Sequence, residues 1–182
     1  MTTENTLRLF FALPCPPRQA EVICNWRDQQ AFGGRPVPSA NLHMTLAFLG
    51  AQPAEHLQAL RQLAEGIDCQ GFELVLDGLI TLGNGFVCLQ PQTPPAALMQ
   101  LAAALNERLS ALGVALDSRP FLPHITLARQ AEARAHNRAA SFSWQAERFV
   151  LYQSQNTADG VRYQELGSWP LQATKASAVG AD

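Results

Sequence analysis

Two short motifs each place a threonine two residues after a histidine. The first is His43 with Thr45, and the second is His124 with Thr126. With four histidines and nine threonines in 182 residues, about 0.2 such pairs are expected by chance. The presence of two pairs therefore indicates a shared chemical function. Successive side chains of a strand point to opposite faces, so each histidine and its threonine would share one face of a strand.

Two histidines across one site are suited to in-line attack at phosphorus. One imidazole removes a proton from the nucleophile and the other gives a proton to the leaving oxygen. A histidine pKa lies near neutrality, so one ring can be neutral while the other is charged. A threonine hydroxyl can donate a hydrogen bond to a non-bridging phosphate oxygen. Such a site needs no metal, and the motifs contain no carboxylate that would hold one.

The histidines and cysteines could also have structural or metal-binding roles. A single strand histidine is more often a hydrogen-bonded structural residue than a catalyst. A zinc site would need further ligands at recognisable spacing, which His56 and His136 do not provide, so we expect both to be exposed and without a role. The four cysteines form no C-x-x-C motif and are expected to be free, buried or half-buried thiols.

The first motif lies in a predicted strand over residues 41–50. Its alternation places Met44, Leu46 and Phe48 on the face toward the core, opposite the histidine. The second motif lies in a predicted strand over residues 121–129, and both histidines are expected in the middle of their strands. A sheet that buries one face of each strand would leave the catalytic side chains on the other.

The remaining elements alternate around these two strands. Prolines and apolar stripes predict three helices, and the predicted order is β-α-β-α-β-β-α-β-β-β. An Asn-Gly turn at residues 83–85 predicts a hairpin, and Asp159-Gly160 predicts another near the C-terminus. The predicted helices cover residues 17–30, 53–67 and 94–112, and the other strands cover residues 7–13, 72–76, 86–89, 147–153 and 161–166.

This order predicts an α+β fold with two pseudo-symmetric lobes. Each lobe would be an antiparallel sheet with outer helices, and the lobes would flank a central cleft lined by both motifs. The motifs are 81 residues apart, which favours two halves of similar build. We expect one domain over residues 1–174, followed by a small, polar, disordered tail over residues 175–182.

Composition narrows the class of partner. The chain is 47% hydrophobic but only 15% charged, and its net charge is −2. It therefore lacks the broad basic face that captures duplex nucleic acid, although a few arginines could hold a small anion or an RNA end. With no predicted signal peptide or membrane span, we expect a soluble cytoplasmic protein.

Seven stretches together resemble the bacterial RNA 2′,3′-cyclic phosphodiesterases, also called 2′-5′ RNA ligases, of the two-histidine phosphoesterase superfamily. The resemblance covers nearly the whole chain, and the paired motifs are specific to the superfamily. Its stretches are Arg8–Leu13, Gly34–Val37, Asn41–Gly50, Arg119–Phe121, Pro123–Leu127, Arg162–Tyr163 and Trp169–Leu171.

The resemblance implies hydrolysis of an RNA-terminal 2′,3′-cyclic phosphate to a 2′-phosphomonoester. His43 would be the general acid and His124 the general base, while Thr45 and Thr126 would hold the phosphate oxygens. The family also has a reversible 2′-5′ RNA ligase activity, which we regard as secondary. No cofactor or metal is implied. The expected partners are single-stranded RNA ends, with tRNA fragments as one source, and a monomer is expected.

Four arginines and four phenylalanines are further candidates for RNA contact. Strict alternation places Arg129 on the core face of its strand, so it reaches a phosphate only if the strand ends or bulges there. Arg35, Arg119 and Arg8 are candidates for the RNA backbone, and an exposed structural role is the alternative for all four. One of the phenylalanines could stack a terminal base, but core packing is expected for most of them: Phe10, Phe11, Phe48 and Phe121.

Two other functions stay open. The same site could serve a small cyclic phosphate, such as a nucleotide or an ADP-ribose product. The protein could also bind RNA ends with little or no turnover. Phosphate binding alone would favour arginines or backbone amides over paired imidazoles, which counts against a pure binding protein.

Overall fold

A computed structural model describes residues 5–83, 85–132 and 140–173 of the chain. The described residues form ten strands and three helices. In chain order these are β1 (Thr6–Pro14), α1 (Pro17–Asp28), β2 (Arg35–Pro36), β3 (His43–Pro53), α2 (Leu57–Glu65), β4 (Phe72–Leu76), β5 (Gly78–Leu82), β6 (Phe86–Gln90), α3 (Ala96–Ala111), β7 (Ile125–Arg129), β8 (Phe142–Ala146), β9 (Arg148–Thr157) and β10 (Gly160–Pro170).

An eight-stranded antiparallel sheet is the centre of the fold. Its order is β10-β9-β1-β3-β7-β6-β5, and the short strand β2 pairs with β7. Strands β4 and β8 form a separate two-stranded antiparallel sheet. The predicted α+β class with antiparallel sheets is therefore confirmed. The two halves of the large sheet meet where Met44 of β3 pairs with Ile125 of β7, so the predicted lobes share one continuous sheet.

The three helices begin and end close to the predicted positions. Pro17 is the first residue of α1, and Pro95 directly precedes α3, where a missing N–H costs no helical hydrogen bond. A short 3-10 turn over Ala54–His56 replaces the first predicted turn of α2. Gly113 follows α3 with φ of +90°, a conformation that favours glycine.

The core lies on one face of the large sheet. Buried side chains of all three helices and of the β4–β8 sheet join buried strand residues in one hydrophobic cluster; among them are Leu9, Phe11, Met44, Leu60, Leu74, Leu101, Leu105, Ile125 and Leu127. Successive strand residues face opposite sides, so this packing turns the motif histidines and threonines away from the core. Among the described residues, no helix is both long and apolar enough to cross a membrane.

Three short strands were missed, and one of them changes a predicted pairing. The predicted turn at residues 83–85 joins β6 to the missed strand β5, while β4 pairs with the missed strand β8. Asn84 of that turn lies outside the described residues, as do His136 and the predicted tail. The third missed strand, β2, has two residues and one pairing partner, too few for a periodic signal.

Both histidines lie at the beginning of a strand, so the prediction that they lie in the middle is wrong. His43 is the first residue of β3 and follows a 3-10 turn over Ser39–Asn41. His124 directly precedes β7 and directly follows Pro123, which has no N–H to donate to a neighbouring strand. Each ring therefore lies beside non-strand backbone, and a carbonyl group two residues earlier binds it.

The prediction that Phe48 shares the core face with Met44 and Leu46 is also wrong. The pairing of β1 with β3 skips Leu46 and Leu49, so β3 carries an extra residue at each point. A bulged residue reverses the alternation that follows it. As a result Leu46 and Leu49 are both buried, while Phe48 is 47% exposed and points away from the core.

Candidate active site

The four motif side chains line one cavity of about 430 Å³. Met44 of β3 pairs with Ile125 of β7 in an antiparallel register. The neighbours on either side of this pair therefore lie opposite each other, so that His43 faces Thr126 and Thr45 faces His124. Residues opposite each other on antiparallel strands have Cβ atoms about 5 Å apart. The two histidines therefore lie diagonally opposite each other on the paired strands and face the same cavity.

Each imidazole is held by the same local hydrogen bond. His43 Nδ1 lies 2.7 Å from the carbonyl oxygen of Asn41, and His124 Nδ1 lies 2.7 Å from that of Leu122. A carbonyl oxygen only accepts, so Nδ1 carries the proton in both neutral rings. This tautomer leaves both Nε2 atoms available to accept or donate a proton. His43 Nε2 lies 3.0 Å from Thr45 Oγ1, whose hydroxyl donates to it when the ring is neutral.

His43 is biased toward its neutral form. Burial lowers its pKa below the ordinary value of 6.5, and the positive charges of Arg129 and His124 lower it further. The hydrogen bond to the Asn41 carbonyl acts in the opposite direction but does not prevail. A bound anion next to the ring would raise this pKa, because an opposite charge favours the protonated form.

Three aromatic rings surround His43, two of them tyrosines that the sequence analysis did not single out as site residues. Its ring centroid lies 4.9 Å from Phe10, 5.1 Å from Tyr163 in an edge-on arrangement, and 6.3 Å from Tyr152. Phe10 therefore packs in a small cluster at the cavity rather than in the main core. The chain has only two tyrosines, and both fall on the predicted C-terminal hairpin, a signal that could have found them.

Arg129 lines the same cavity as Thr126, although the two residues are an odd number of positions apart. The pairing of β6 with β7 explains this placement. Val87 and Cys88 are neighbours on β6, but their partners on β7 are Ala128 and Thr126, so β7 carries an extra residue at Leu127. Strand β7 thus contains the bulge that the sequence analysis required for Arg129 to lie on the same side as the histidines.

A buried arginine holds this bulge in place. Arg27 of α1 donates from Nη1 to the carbonyl oxygens of Val37, at 2.5 Å, and of Leu127, at 3.3 Å. Hydrogen bonds from a charged donor contribute about 1.5–3 kcal/mol. Arg27 was not predicted as a functional residue. It lies one helical turn after the buried residue Ile23, and a charged residue on a buried helical face indicates a specific partner.

The other predicted arginines lie in different places. Arg8 lines the cavity, and its guanidinium lies 5.0 Å from the centroid of the Phe48 ring. Arg35 is exposed on β2 opposite Arg129, and Arg119 is 85% exposed and forms an ion pair with Asp117. Among the described residues, neither Arg35 nor Arg119 lines the cavity that holds the histidines.

The remaining candidates do not contribute to this cavity. All four cysteines are free, and burial raises the pKa of Cys15 to about 12 and that of Cys88 to about 11. Cys88 lies beneath Thr126, with Sγ 3.8 Å from its Oγ1. His56 is exposed. Across the described ranges, no group of three or more His, Cys, Asp or Glu side chains is arranged to hold a metal ion.

Comparisons with known proteins point to one family. Residues 14–158 match the family model of the 2′-5′ RNA ligase superfamily. The chain is 40% identical over 169 residues to the RNA 2′,3′-cyclic phosphodiesterase of Escherichia coli (strain K12), with 90% of this chain and 96% of that protein covered.

Solved structures give the same result. The structure of E. coli LigT with 3′-AMP matches with a TM-score of 0.86 and 38% identity, covering 92% of this chain and 99% of that one. The structure of E. coli LigT with phosphate matches with a TM-score of 0.81 and 37% identity, covering 92% and 98%.

Proposed function

The chain belongs to the 2′-5′ RNA ligase superfamily, and from this membership we propose that it opens an RNA-terminal 2′,3′-cyclic phosphodiester to a 2′-phosphomonoester. The observation that carries the proposal is the pair of histidines that line one cavity, each bound through Nδ1 to a backbone carbonyl so that Nε2 is left for proton transfer. A relative that binds 3′-AMP and phosphate supports the same class of substrate. We propose that the reaction needs no metal or cofactor.

The two histidines act as a base and an acid. Nε2 of His124 takes a proton from water as its oxygen attacks phosphorus. The bond between phosphorus and the ribose 3′ oxygen breaks, and Nε2 of His43 gives a proton to that oxygen. The 2′ ester bond is kept, which gives the 2′-phosphate product. These two proton transfers leave a protonated His124 and a neutral His43, so the next cycle requires His124 to lose a proton to solvent and His43 to gain one.

The threonines and Arg129 stabilise the charge on the phosphate. In the empty site the Thr45 hydroxyl donates to His43. When phosphate enters and His43 becomes protonated, that hydroxyl is released to donate to a non-bridging oxygen, with Thr126 doing the same from the facing strand. Arg129 adds a positive charge, and its planar guanidinium can donate two parallel hydrogen bonds to phosphate oxygens.

The cavity volume suits one terminal nucleotide, so a single-stranded RNA end is the substrate and a tRNA fragment is one such end. A small 2′,3′-cyclic nucleotide is the nearest alternative, since it would fill the same space. We propose a cytoplasmic monomer, in line with its four free cysteines.

The test is hydrolysis of a short oligoribonucleotide with a 2′,3′-cyclic phosphate end, in EDTA, by the wild type, His43→Ala and His124→Ala. We expect a 2′-phosphate product from the wild type and a loss of about 10²–10⁴-fold in kcat for each variant, the usual contribution of a general acid or base. Product formation that requires added metal would contradict the mechanism. Turnover of a 2′,3′-cyclic mononucleotide but not of the oligonucleotide would favour the small substrate.

A further inference from the structure

The β9–β10 hairpin forms one wall of the active-site cavity. Strand β9 pairs with β1 over residues 150–153, and beyond Gln153 it pairs, among the described residues, with β10 alone. We call this outer part of the hairpin, residues 154–163, the distal hairpin. Side chains from both of its strands line the cavity: Ser154, Asn156, Val161 and Tyr163. The distal hairpin therefore extends beyond its pairing with β1 and reaches the site.

Asn41 joins the distal hairpin to the turn before His43. Its side-chain Nδ2 donates a 2.9 Å hydrogen bond to the carbonyl oxygen of Val161, which lies 120 residues further along the chain. Its own carbonyl oxygen accepts the hydrogen bond from His43 Nδ1 at 2.7 Å. Two residues after Val161, the ring of Tyr163 lies edge-on to that of His43, with the centroids 5.1 Å apart. Asn41 thus binds the hairpin through its side chain and the imidazole through its backbone.

The carbonyl group that binds His124 is fixed in a different way. Leu122 supplies that carbonyl, and the next residue is Pro123. A proline restricts the residue before it to extended conformations, so covalent geometry limits the orientation of the Leu122 carbonyl. Asn41 is followed by Leu42, and this restriction does not apply there. The orientation of the Asn41 carbonyl depends instead on hydrogen bonds, those of its 3-10 turn and the one to the distal hairpin.

We propose that Asn41 is a positioning residue, whose side-chain hydrogen bond to the distal hairpin holds the carbonyl group that orients His43. The catalytic consequence rests on the proposed function, in which His43 is the acid. The bond from Nδ1–H to that carbonyl sets the tautomer and the rotation of the ring, and so directs Nε2 toward the leaving 3′ oxygen. Proton transfer needs this alignment, whereas Arg129 and Thr126 bind phosphate without it. Loss of the Asn41 amide should therefore lower kcat and leave KM nearly unchanged.

A comparison of Asn41→Ala with Gln155→Ala tests the proposal. Gln155 Nε2 donates to Gln164 Oε1 at 2.9 Å on the same hairpin, and among the described residues neither glutamine lines the cavity. Gln155→Ala thus removes a side-chain hydrogen bond of the hairpin and keeps the bond from Asn41. Steady-state kinetics uses the cyclic-phosphate oligonucleotide, and circular dichroism melting checks that each variant is folded.

The state of each imidazole is measured separately by ¹⁵N NMR of protein labelled at histidine. Spectra at about pH 8.5 observe neutral rings, because the ordinary pKa of histidine is about 6.5. The variants His43→Ala and His124→Ala assign the signals. In a neutral ring the two nitrogen shifts report which nitrogen carries the proton, so His124 serves as an internal control for His43.

We expect Asn41→Ala to lower kcat about two- to tenfold, the effect of losing one neutral hydrogen bond, with KM within about twofold of wild type. Both wild-type rings should show the Nδ1–H tautomer. In Asn41→Ala the two nitrogen shifts of His43 should move toward each other, because both tautomers become populated, while those of His124 stay in place. Gln155→Ala should keep the kinetics and the His43 signals of the wild type.

Three outcomes would overturn the role of Asn41. A raised KM with unchanged kcat would show that Asn41 contacts the substrate directly. Unchanged His43 signals in folded Asn41→Ala would show that the bond to the hairpin does not hold the ring. Equal changes in Gln155→Ala would show that any loosening of the hairpin has the same effect. Failure of the wild type to hydrolyse the oligonucleotide would instead overturn the proposed function, and the NMR spectra, which need no turnover, would still decide whether Asn41 orients His43.

Discussion

The environment of His43 makes the pH dependence of the two kinetic constants a sharp test of its role. An acid must be protonated, and the pKa of His43 in the empty site is lowered below 6.5, mainly by burial. The protonated fraction of His43 therefore falls as the pH rises through that lowered pKa. Because kcat/KM reports the free enzyme, we expect kcat/KM to decrease above the same pH. A bound phosphate raises the pKa again, so the alkaline limb of kcat should lie at higher pH than that of kcat/KM.

The measurement is a pair of pH profiles, of kcat/KM and of kcat, for hydrolysis of the cyclic-phosphate oligonucleotide. The profiles also separate the two possible role assignments. If His43 were the base, its lowered pKa would appear in the acidic limb of kcat/KM and would extend activity to lower pH. Alkaline limbs that coincide would contradict the proposed effect of the phosphate on His43.

Arg129 and Arg35 form a natural comparison, since they lie opposite each other on paired strands but only Arg129 is among the residues that line the cavity. We expect Arg129→Gln to lower kcat/KM about 10- to 100-fold, the effect of losing about 1.5–3 kcal/mol of charge-assisted hydrogen bonding to phosphate. Arg35→Gln should stay within about twofold. Steady-state kinetics of both variants checks this, and equal losses would show that Arg129 has no special contact with phosphate.

The strand bulges are what the sequence could not show. Alternation alone found both His-x-Thr pairs and their shared face, because two residues suffice to set a relative orientation. Alternation gave the wrong face for Phe48, which follows the extra residue at Leu46. For Arg129, which follows the extra residue at Leu127, alternation predicted the histidine side only if the strand ended or bulged. A bulge depends on the partner strand, and the residues of one strand do not identify the strand with which it pairs.

Gly34 ties the loop before β3 to the strand end that carries Arg129. Its φ is +70°, and an added Cβ would lie 2.4 Å from the carbonyl oxygens of Arg129 and Gln130, so no other residue fits without moving the backbone. We expect Gly34→Ala to destabilise the fold and to reduce kcat/KM in the same direction as Arg129→Gln. Thermal unfolding and kinetics on the folded fraction measure the two effects.

Gly113 supplies the control for the conformational cost alone. Its φ is +90°, but an added Cβ would meet no atom within 4 Å. Gly113→Ala should therefore cost about 1–2 kcal/mol of stability from the left-handed conformation and leave kcat/KM unchanged. If Gly34→Ala were no more destabilising than Gly113→Ala and kept full activity, Gly34 would not position Arg129.

The fold places two similar half-sites on the two strands that join the halves of the sheet. Each half-site has a histidine bound to a carbonyl group two residues earlier and a threonine two residues later. The surroundings then make the halves different, because the rings of Phe10, Tyr152 and Tyr163 pack around His43 while a groove of about 550 Å³ opens beside His124. An acid and a base can thus arise from one repeated motif.

The charge distribution predicts how binding depends on salt and on RNA length. The net charge of the chain is −2, and Arg8 and Arg129 are the cationic side chains, apart from the histidines, that line the cavity among the described residues. For a single strand, log Kd changes with log salt by about 0.7 per phosphate neutralised, so one or two contacts give a slope of about 0.7–1.4. We expect that slope for a 2′-phosphate-ended trinucleotide and for a decanucleotide alike, measured by titration between roughly 50 and 200 mM salt. A slope that steepens with length would reveal an extended basic surface along the RNA, and the enzyme would then recognise more than the end of the chain.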